Sequence, residues 1–205
     1  MEPIILASES PRRQGFFRLL NLPFTCMPAM IDETARPGLS PRQVTEDLAL
    51  RKTMAIVEKL NNTPHPFPAP HSPSPNWVFG ADTIVVLDGI IYGKADNRDD
   101  AKVMLGKLAG RRHEVISAMA LYNGHKKTTN TRSVSCQVDF VPLSEAEIEW
   151  YLDTDEWKGA AGSYQLQGLG GCLIEAIHGS PSAVAGLPLH DFYAMLRANG
   201  YRYGG

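Results

Sequence analysis

Cysteine is scarce in this chain: three in 205 residues, at positions 26, 136 and 172. They are odd in number and far apart, with no Cys-x-x-Cys pair, so they predict neither a disulfide framework nor a zinc centre. Reduced, buried thiols in a cytoplasmic protein are the expectation. Long apolar runs are also missing. No stretch approaches the length needed to cross a bilayer, and Met1-Glu2-Pro3 lacks the basic segment and apolar run of a secretory signal. Neither sign of charge dominates. A net charge of −2 leaves no electrostatic footprint for nucleic acid or an acidic membrane. What remains is a globular balance, 43% apolar and 20% charged. The length suits one large domain or two small lobes with a sizeable core.

The stretch Val78-Phe79-Gly80-Ala81-Asp82-Thr83-Ile84-Val85-Val86-Leu87 predicts a buried strand, spanning about 77–87, with one charge at its middle. A carboxylate there is costly unless a cation, a metal or hydrogen-bond donors meet it. Two readings of Asp82 stand on the residues alone: a functional acid, or a turn cap where Gly80 breaks the strand. Asp88-Gly89 then predicts a hairpin turn. Its return strand, Ile90-Ile91-Tyr92, leads into Gly93-Lys94 and carries a lysine back toward Asp82. The spacing of Gly89, Gly93 and Lys94, followed by Ala95, does not make a Walker A loop.

Before this strand, Pro3–Ala7 predicts a short strand, and Ser8-Glu9-Ser10-Pro11-Arg12-Arg13 opens a helix with Ser10 as N-cap and Pro11 at its first position. Hydroxyls and arginines at a helix N-terminus can cradle phosphate; a capped helix with solvated arginines is the other reading. Phe24–Pro28 reads as a second strand, and Ile31-Asp32-Glu33 as a loop carrying paired acids. Ser40-Pro41 opens a long helix to about Leu60, with Val44, Leu48, Ala55 and Ile56 roughly on one face; Lys52 lies on this helix, where a lysine is normally surface charge. Residues 61–76 hold six prolines among small and polar residues. They predict an extended surface loop, with His65 and His71 too isolated to hold a metal.

After it, Asn97 caps a helix that Gly110 ends. Val115–Leu121 and Arg132–Val141 read as strands about an Asn123-Gly124 hairpin. Ser144 and Glu147 form a capping box. The run Gly159–Gly171 is glycine-dense, and its Gln165 and Gln167 could read a base edge through their amides. A strand over Cys172–Ile177 follows, and Gly186-Leu187-Pro188 precedes a final helix to Asn199, with Gly200 as its stop.

Taken in order, Ala7-Ser8-Glu9-Ser10-Pro11-Arg12-Arg13, Ile31-Asp32-Glu33, Lys52, Gly80-Ala81-Asp82-Thr83, Gly93-Lys94, Ala161–Gly168 and Val184–Leu189 resemble the Maf family of nucleoside triphosphate pyrophosphatases. The resemblance spans nearly the whole chain and implies a single Maf-like domain over 1–205, with 61–76 as an extra surface loop. It implies an α/β fold similar to the inosine triphosphate pyrophosphatases: a mixed twisted sheet with flanking helices, in two lobes around a cleft. It implies hydrolysis of a nucleoside triphosphate to monophosphate and pyrophosphate with a divalent cation, magnesium or manganese, by a cytoplasmic homodimer that needs neither membrane nor nucleic acid. Asp82 would accept the proton of the attacking water. Glu33 and Asp82 would hold the metal, and Ser8, Arg12, Arg13, Lys52 and Lys94 would hold phosphate. Arg12, Thr83 and Gln167 match the branch that is similar to dTTP/UTP pyrophosphatases, where the 7-methyl-GTP branch has a glutamate at the last position. Two other readings remain: a pyrophosphatase for modified or methylated nucleotides, and a non-catalytic nucleotide-binding regulator of septum formation. Ala95, in place of the family's proline, and Ser180-Pro181-Ser182-Ala183 depart from the family pattern.

Overall fold

The computed structural model describes residues 1–62 and 76–203. The proline-rich stretch, including His65 and His71, lies outside the described residues except at its two ends. The chain begins with β1 (Ile4–Leu6), α1 (Pro11–Leu19) and β2 (Phe24–Cys26), followed by α2 (Pro41–Asn62). Next come β3 (Trp77–Leu87), β4 (Ile90–Tyr92), α3 (Arg98–Leu108), β5 (Arg112–Asn123) and β6 (Thr128–Phe140). The last third holds α4 (Glu145–Leu152), β7 (Ile174–His178), the single turn α5 (Pro181–Val184) and α6 (Leu189–Asn199). Among the described residues the strands form one mixed seven-stranded sheet in the order β2-β1-β3-β5-β6-β7, with β4 paired to β3. β1 runs parallel to both β2 and β3, while β3–β4 and β6–β7 are antiparallel. This is the mixed α/β architecture that the family resemblance implies. Among the described residues no helix is long and apolar enough to cross a membrane.

Two compact units divide the chain. The first comprises Met1–Asp82, Ala118–Ser133 and Leu189–Gly205; the second comprises Thr83–Ser117 and Val134–Pro188. The division falls inside β3, between Asp82 and Thr83. In the first unit Phe17 of α1 meets Phe24, Phe79 and Phe192 with ring centroids 5.2–5.6 Å apart. This aromatic group fixes α1 against β2, β3 and α6. In the second unit one core joins Val85 and Leu87 of β3 to Leu105, Val138, Phe140, Ile148, Tyr151 and Leu173.

Local signals explain most element ends. Asp88 and Gly89 both take positive φ, 51° and 77°, as a tight two-residue hairpin requires. Asn97 accepts from the Asp100 N–H at the start of α3, and Ser144 with Glu147 completes a capping box on α4. Three expectations are corrected. Ser10 occupies the N-cap position of α1, but its side chain makes no capping bond; its N–H donates to Ser8 Oγ instead. The β5–β6 connection is a four-residue turn over 124–127, because Asn123 Oδ1 accepts from the N–H groups of both His125 and Lys126 and widens the loop. Cys172 belongs to a 3₁₀ turn over Leu169–Leu173, so β7 starts only at Ile174.

Candidate active site

In the first unit β1 ends at Leu6, and the Ala7 N–H donates to Phe79 O at 2.8 Å, which ties the start of the turn to β3. Ser8 then folds the chain back. Its Oγ accepts from the Ser10 N–H at 3.2 Å and from Arg13 Nη1 at 3.4 Å. Pro11 at the first helical position turns the following residues into α1 and presents Arg12 and Arg13 from its first turn. Burial pushes the Arg13 guanidinium down from the usual arginine value, and Arg12 adds repulsion in the same direction. Asp82 and Glu33 oppose both effects, which places two carboxylates in the field of this arginine.

Lys52 is the centre of the arrangement. Although it lies on a helix, it is only 8% exposed. Its Nζ donates to Asp82 Oδ1 at 2.7 Å and pairs with Glu33 Oε1 at 3.0 Å. The reading of Lys52 as surface charge is therefore overturned, and the cause is Gly80. A Cβ at residue 80 would lie 2.4 Å from Thr53 Oγ1 and 2.8 Å from Ala49 O. Only a glycine lets α2 settle this deeply on β3, and Ala49, Ala118 and Ala120 keep the rest of that contact small. Gly80 thus does not break the strand; β3 runs through it. Thr53 Oγ1 lies 3.0 Å from Ala49 O and 3.2 Å from Ala120 O, which anchors the helix beside Lys52.

Glu33 reaches Lys52 from a loop fixed by two residues whose part the sequence did not reveal. Arg51 donates to the carbonyls of Asp32 and Thr34 and pairs with Asp47. Asp32 Oδ1 accepts the Thr34 N–H at 2.8 Å, which closes a local turn. Of the paired acids, Asp32 serves the loop and Glu33 serves the lysine. The Asp-x-Thr spacing and the arginine next to Lys52 were the signals available. Asp82 is nine-tenths buried at its side chain, whereas Glu33 is about half exposed. The pair therefore offers one sheltered and one accessible carboxylate.

Thr83, Lys94 and Gln167 belong to the second unit. Thr83 Oγ1 lies 2.8 Å from Ser117 Oγ, which in turn donates to Ala183 O at 2.7 Å. The β3–β4 ladder ends at Val85 and Tyr92. Beyond it the backbone of Lys94 pairs with Ala161, and the Gly162 N–H donates to Gly93 O at 3.0 Å. Gly162 has φ 65°, and a Cβ there would sit 2.7 Å from Val85 Cγ2, so the glycine is required. The exposed Lys94 is thereby attached to the glycine-rich loop.

That loop is organised internally. Glu156 carboxylate oxygens accept the N–H groups of Leu169 and Gly170 at 3.1 and 3.3 Å, with Gly168 pressed against them. These backbone donors, which glycine density suggested for a ligand, are thus met by a carboxylate of the same chain. Gln165 is also taken: its amide nitrogen donates to Glu156 O. Gln167 alone of the two glutamines is exposed.

Among the described residues no group of three or more His, Cys, Asp or Glu side chains could form a metal centre made by protein alone. Glu33 and Asp82, converging on one ammonium, are two oxygen donors. Two carboxylates completed by substrate oxygens and water are the donor set of magnesium rather than of zinc.

The Maf-like protein family model matches residues 3–199. A dTTP/UTP pyrophosphatase of Symbiobacterium thermophilum is 40% identical over 201 residues, covering 98% of this chain and 96% of that protein. A dTTP/UTP pyrophosphatase of Pelotomaculum thermopropionicum is 37% identical over 201 residues, covering 98% of each. Among solved structures, the Staphylococcus aureus Ham1 protein superimposes with a TM-score of 0.52 over 96% of this chain and 99% of that one, at 14% identity. That likeness carries the mixed α/β fold alone. The match over nearly the full length, with relatives at this identity, shows that the chain belongs to the Maf family.

Proposed function

We propose that this chain hydrolyses dTTP and UTP to the nucleoside monophosphate and pyrophosphate. The observation that carries the reading is the buried Lys52, held between Asp82 and Glu33 next to the Ser8–Arg13 turn. The names of the relatives that match it end to end supply the substrate class. Hydrolysis of a triphosphate asks for charge neutralisation and an aligned water rather than covalent help. Ser8, Arg12 and Arg13 supply hydroxyl and guanidinium donors at the start of α1, and Lys52 adds an ammonium. Asp82, with Oδ1 on Lys52, takes the proton of the attacking water. The water oxygen bonds to the α-phosphorus, the bond from that phosphorus to the bridging oxygen breaks, and pyrophosphate leaves with the electron pair. In the second unit Lys94 is assigned to phosphate charge, and Thr83 and Gln167, with Arg12 of the first, to the choice of base.

Glu33 and Asp82 would hold a magnesium or manganese ion, which supplies Lewis-acid polarisation of phosphate oxygens when bound. Chelation with EDTA is expected to abolish turnover, and added magnesium to restore it; full activity of the chelated protein would exclude the metal. The same reading makes the protein a cytoplasmic homodimer, for which light scattering in solution is the check. The direct test of function is pyrophosphate release across a panel of canonical and modified nucleoside triphosphates, 7-methyl-GTP included. dTTP and UTP are expected to give the highest kcat/KM. A preference for 7-methyl-GTP, or tight nucleotide binding without pyrophosphate release, would overturn the assignment.

A further inference from the structure

Gln167 is followed closely by Gly168, Gly170 and Gly171. Such backbone has many conformations to lose when a ligand orders it. In the structure it is tied down. The Gly168 N–H donates to Gln165 O at 3.3 Å, which makes Leu166 and Gln167 the central pair of a four-residue turn. Both arms of that turn end on Glu156. On one side the Gln165 amide nitrogen donates to Glu156 O. On the other, the Glu156 carboxylate accepts the N–H groups of Leu169 and Gly170, one on each oxygen, at 3.1 and 3.3 Å. An ionised acceptor makes the stronger kind of hydrogen bond. Glu156 is itself seated on the end of α4. Its N–H donates to Thr154 Oγ1 at 3.2 Å, and Thr154 Oγ1 donates to Tyr151 O at 2.7 Å. The Tyr151 hydroxyl, from the same helix, accepts the Gln165 N–H at 3.2 Å. One acid thus joins the turn that bears Gln167 to a helix.

We propose that Glu156 is a positioning residue that fixes the Leu166–Gln167 turn, so that the Gln167 amide meets the uracil or thymine edge already in place. The proposal rests on the reading of Gln167 as a residue that contacts the base. To donate to O4 and accept from N3–H together, an amide must keep both its plane and its distance. A loop ordered before binding keeps the whole of that contact, whereas a loose one loses part of it to ordering. Glu156→Gln preserves the length of the side chain. It turns an NH2 group toward one of the two N–H donors, so one bond is lost and a repulsion takes its place.

The test is kcat/KM for UTP and for ribose 5-triphosphate, which carries the same reacting phosphorus and no base, in the wild type, Glu156→Gln, Gln167→Ala and the double variant. Thermal melts are the fold control. Gln165→Leu, which frees the other arm of the turn, reads the same ratio should Glu156→Gln not fold. The wild type is expected to favour UTP, and Gln167→Ala to lose most of that preference. Glu156→Gln is expected to lower the ratio of UTP to ribose 5-triphosphate about tenfold, with ribose 5-triphosphate itself unchanged, and to have no further effect in the Gln167→Ala background. A Glu156→Gln ratio equal to wild type, whether both substrates hold or both fall together, overturns the positioning role and leaves the reading of Gln167 intact. So does a further loss of preference in the Gln167→Ala background. A wild type that does not favour UTP, or a Gln167→Ala variant that keeps the preference, overturns the reading of Gln167 and the proposal with it. A wild type that releases pyrophosphate from neither substrate overturns the proposed function.

Discussion

A single carboxylate in an apolar strand was readable in the sequence because it broke the pattern around it; the lysine that answers it was not. Asp82 is buried with Lys52, and removing one member of such a pair strands the other in a poorly solvated place. Lys52→Met is expected to destabilise the protein by about 3 kcal/mol in urea unfolding, and the double variant Lys52→Met/Asp82→Asn to recover part of that loss. Losses that simply add would mean the two charges do not depend on each other. Asp82→Asn alone is expected to lower kcat by about 10²–10³-fold, with pyrophosphate release as the measurement, at a smaller stability cost because Glu33 still faces Lys52. Lys52 read as solvated because it is a lysine, although its spacing from Val44, Leu48 and Ile56 puts it on the face of α2 that the fold buries.

His113 carries a pH effect of the same local kind. It is buried on β5, its Nε2 sharing a hydrogen bond with Tyr164 Oη at 2.8 Å. Burial pushes its pKa from the usual 6.5 down to about 4. The folded protein therefore keeps the ring neutral where the unfolded chain protonates it. The stability this represents is fully present above 6.5 and is lost as pH falls from 6.5 towards 4. Between pH 7 and pH 5 the loss is about 2 kcal/mol. Urea midpoints at the two pH values are expected to fall more for the wild type than for His113→Phe, whose ring cannot titrate. Equal falls would remove His113 from the account.

At the scale of elements, the seating of α2 decides the site, and two glycines give opposite expectations. Gly80→Ala puts a methyl 2.4 Å from Thr53 Oγ1 and 2.8 Å from a backbone carbonyl, so α2 must lift from β3. The expected cost is about 1–3 kcal/mol, together with a fall in kcat as Lys52 is drawn off Asp82. Gly106, inside α3, has nothing within 4 Å of the place a methyl would occupy. Gly106→Ala is expected to stabilise by about 0.5–1 kcal/mol, with kcat unchanged. Thermal melts and turnover of both variants are the check. The strand and hairpin signals of β3 and β4, the caps of α3 and α4 and the stop of α6 were legible because each rests on a few adjacent residues. The true lengths of β5 and β6 were not, since their polar ends, such as Arg112 and Thr128, extend only because neighbouring strands pair with them. Nor was the path of Lys94: the hairpin was local, but its attachment to Ala161 joins residues 67 positions apart.

For the whole molecule, the ordered set of short motifs was enough to expect the Maf family, and through that resemblance a mixed sheet. The strand order was not readable, because β1 finds both β2 and β3 through parallel crossovers that leave no local mark. Two lobes were expected, but where the chain divides between them was equally hidden. The division cuts β3 between Asp82 and Thr83, so neighbouring residues of one continuous strand belong to different units. In the proposed reaction water attacks the α-phosphorus of dTTP or UTP. Turnover in water enriched in heavy oxygen tests it most directly. The expected result is label in the nucleoside monophosphate and none in the pyrophosphate; label in the pyrophosphate, or release of orthophosphate, would contradict it.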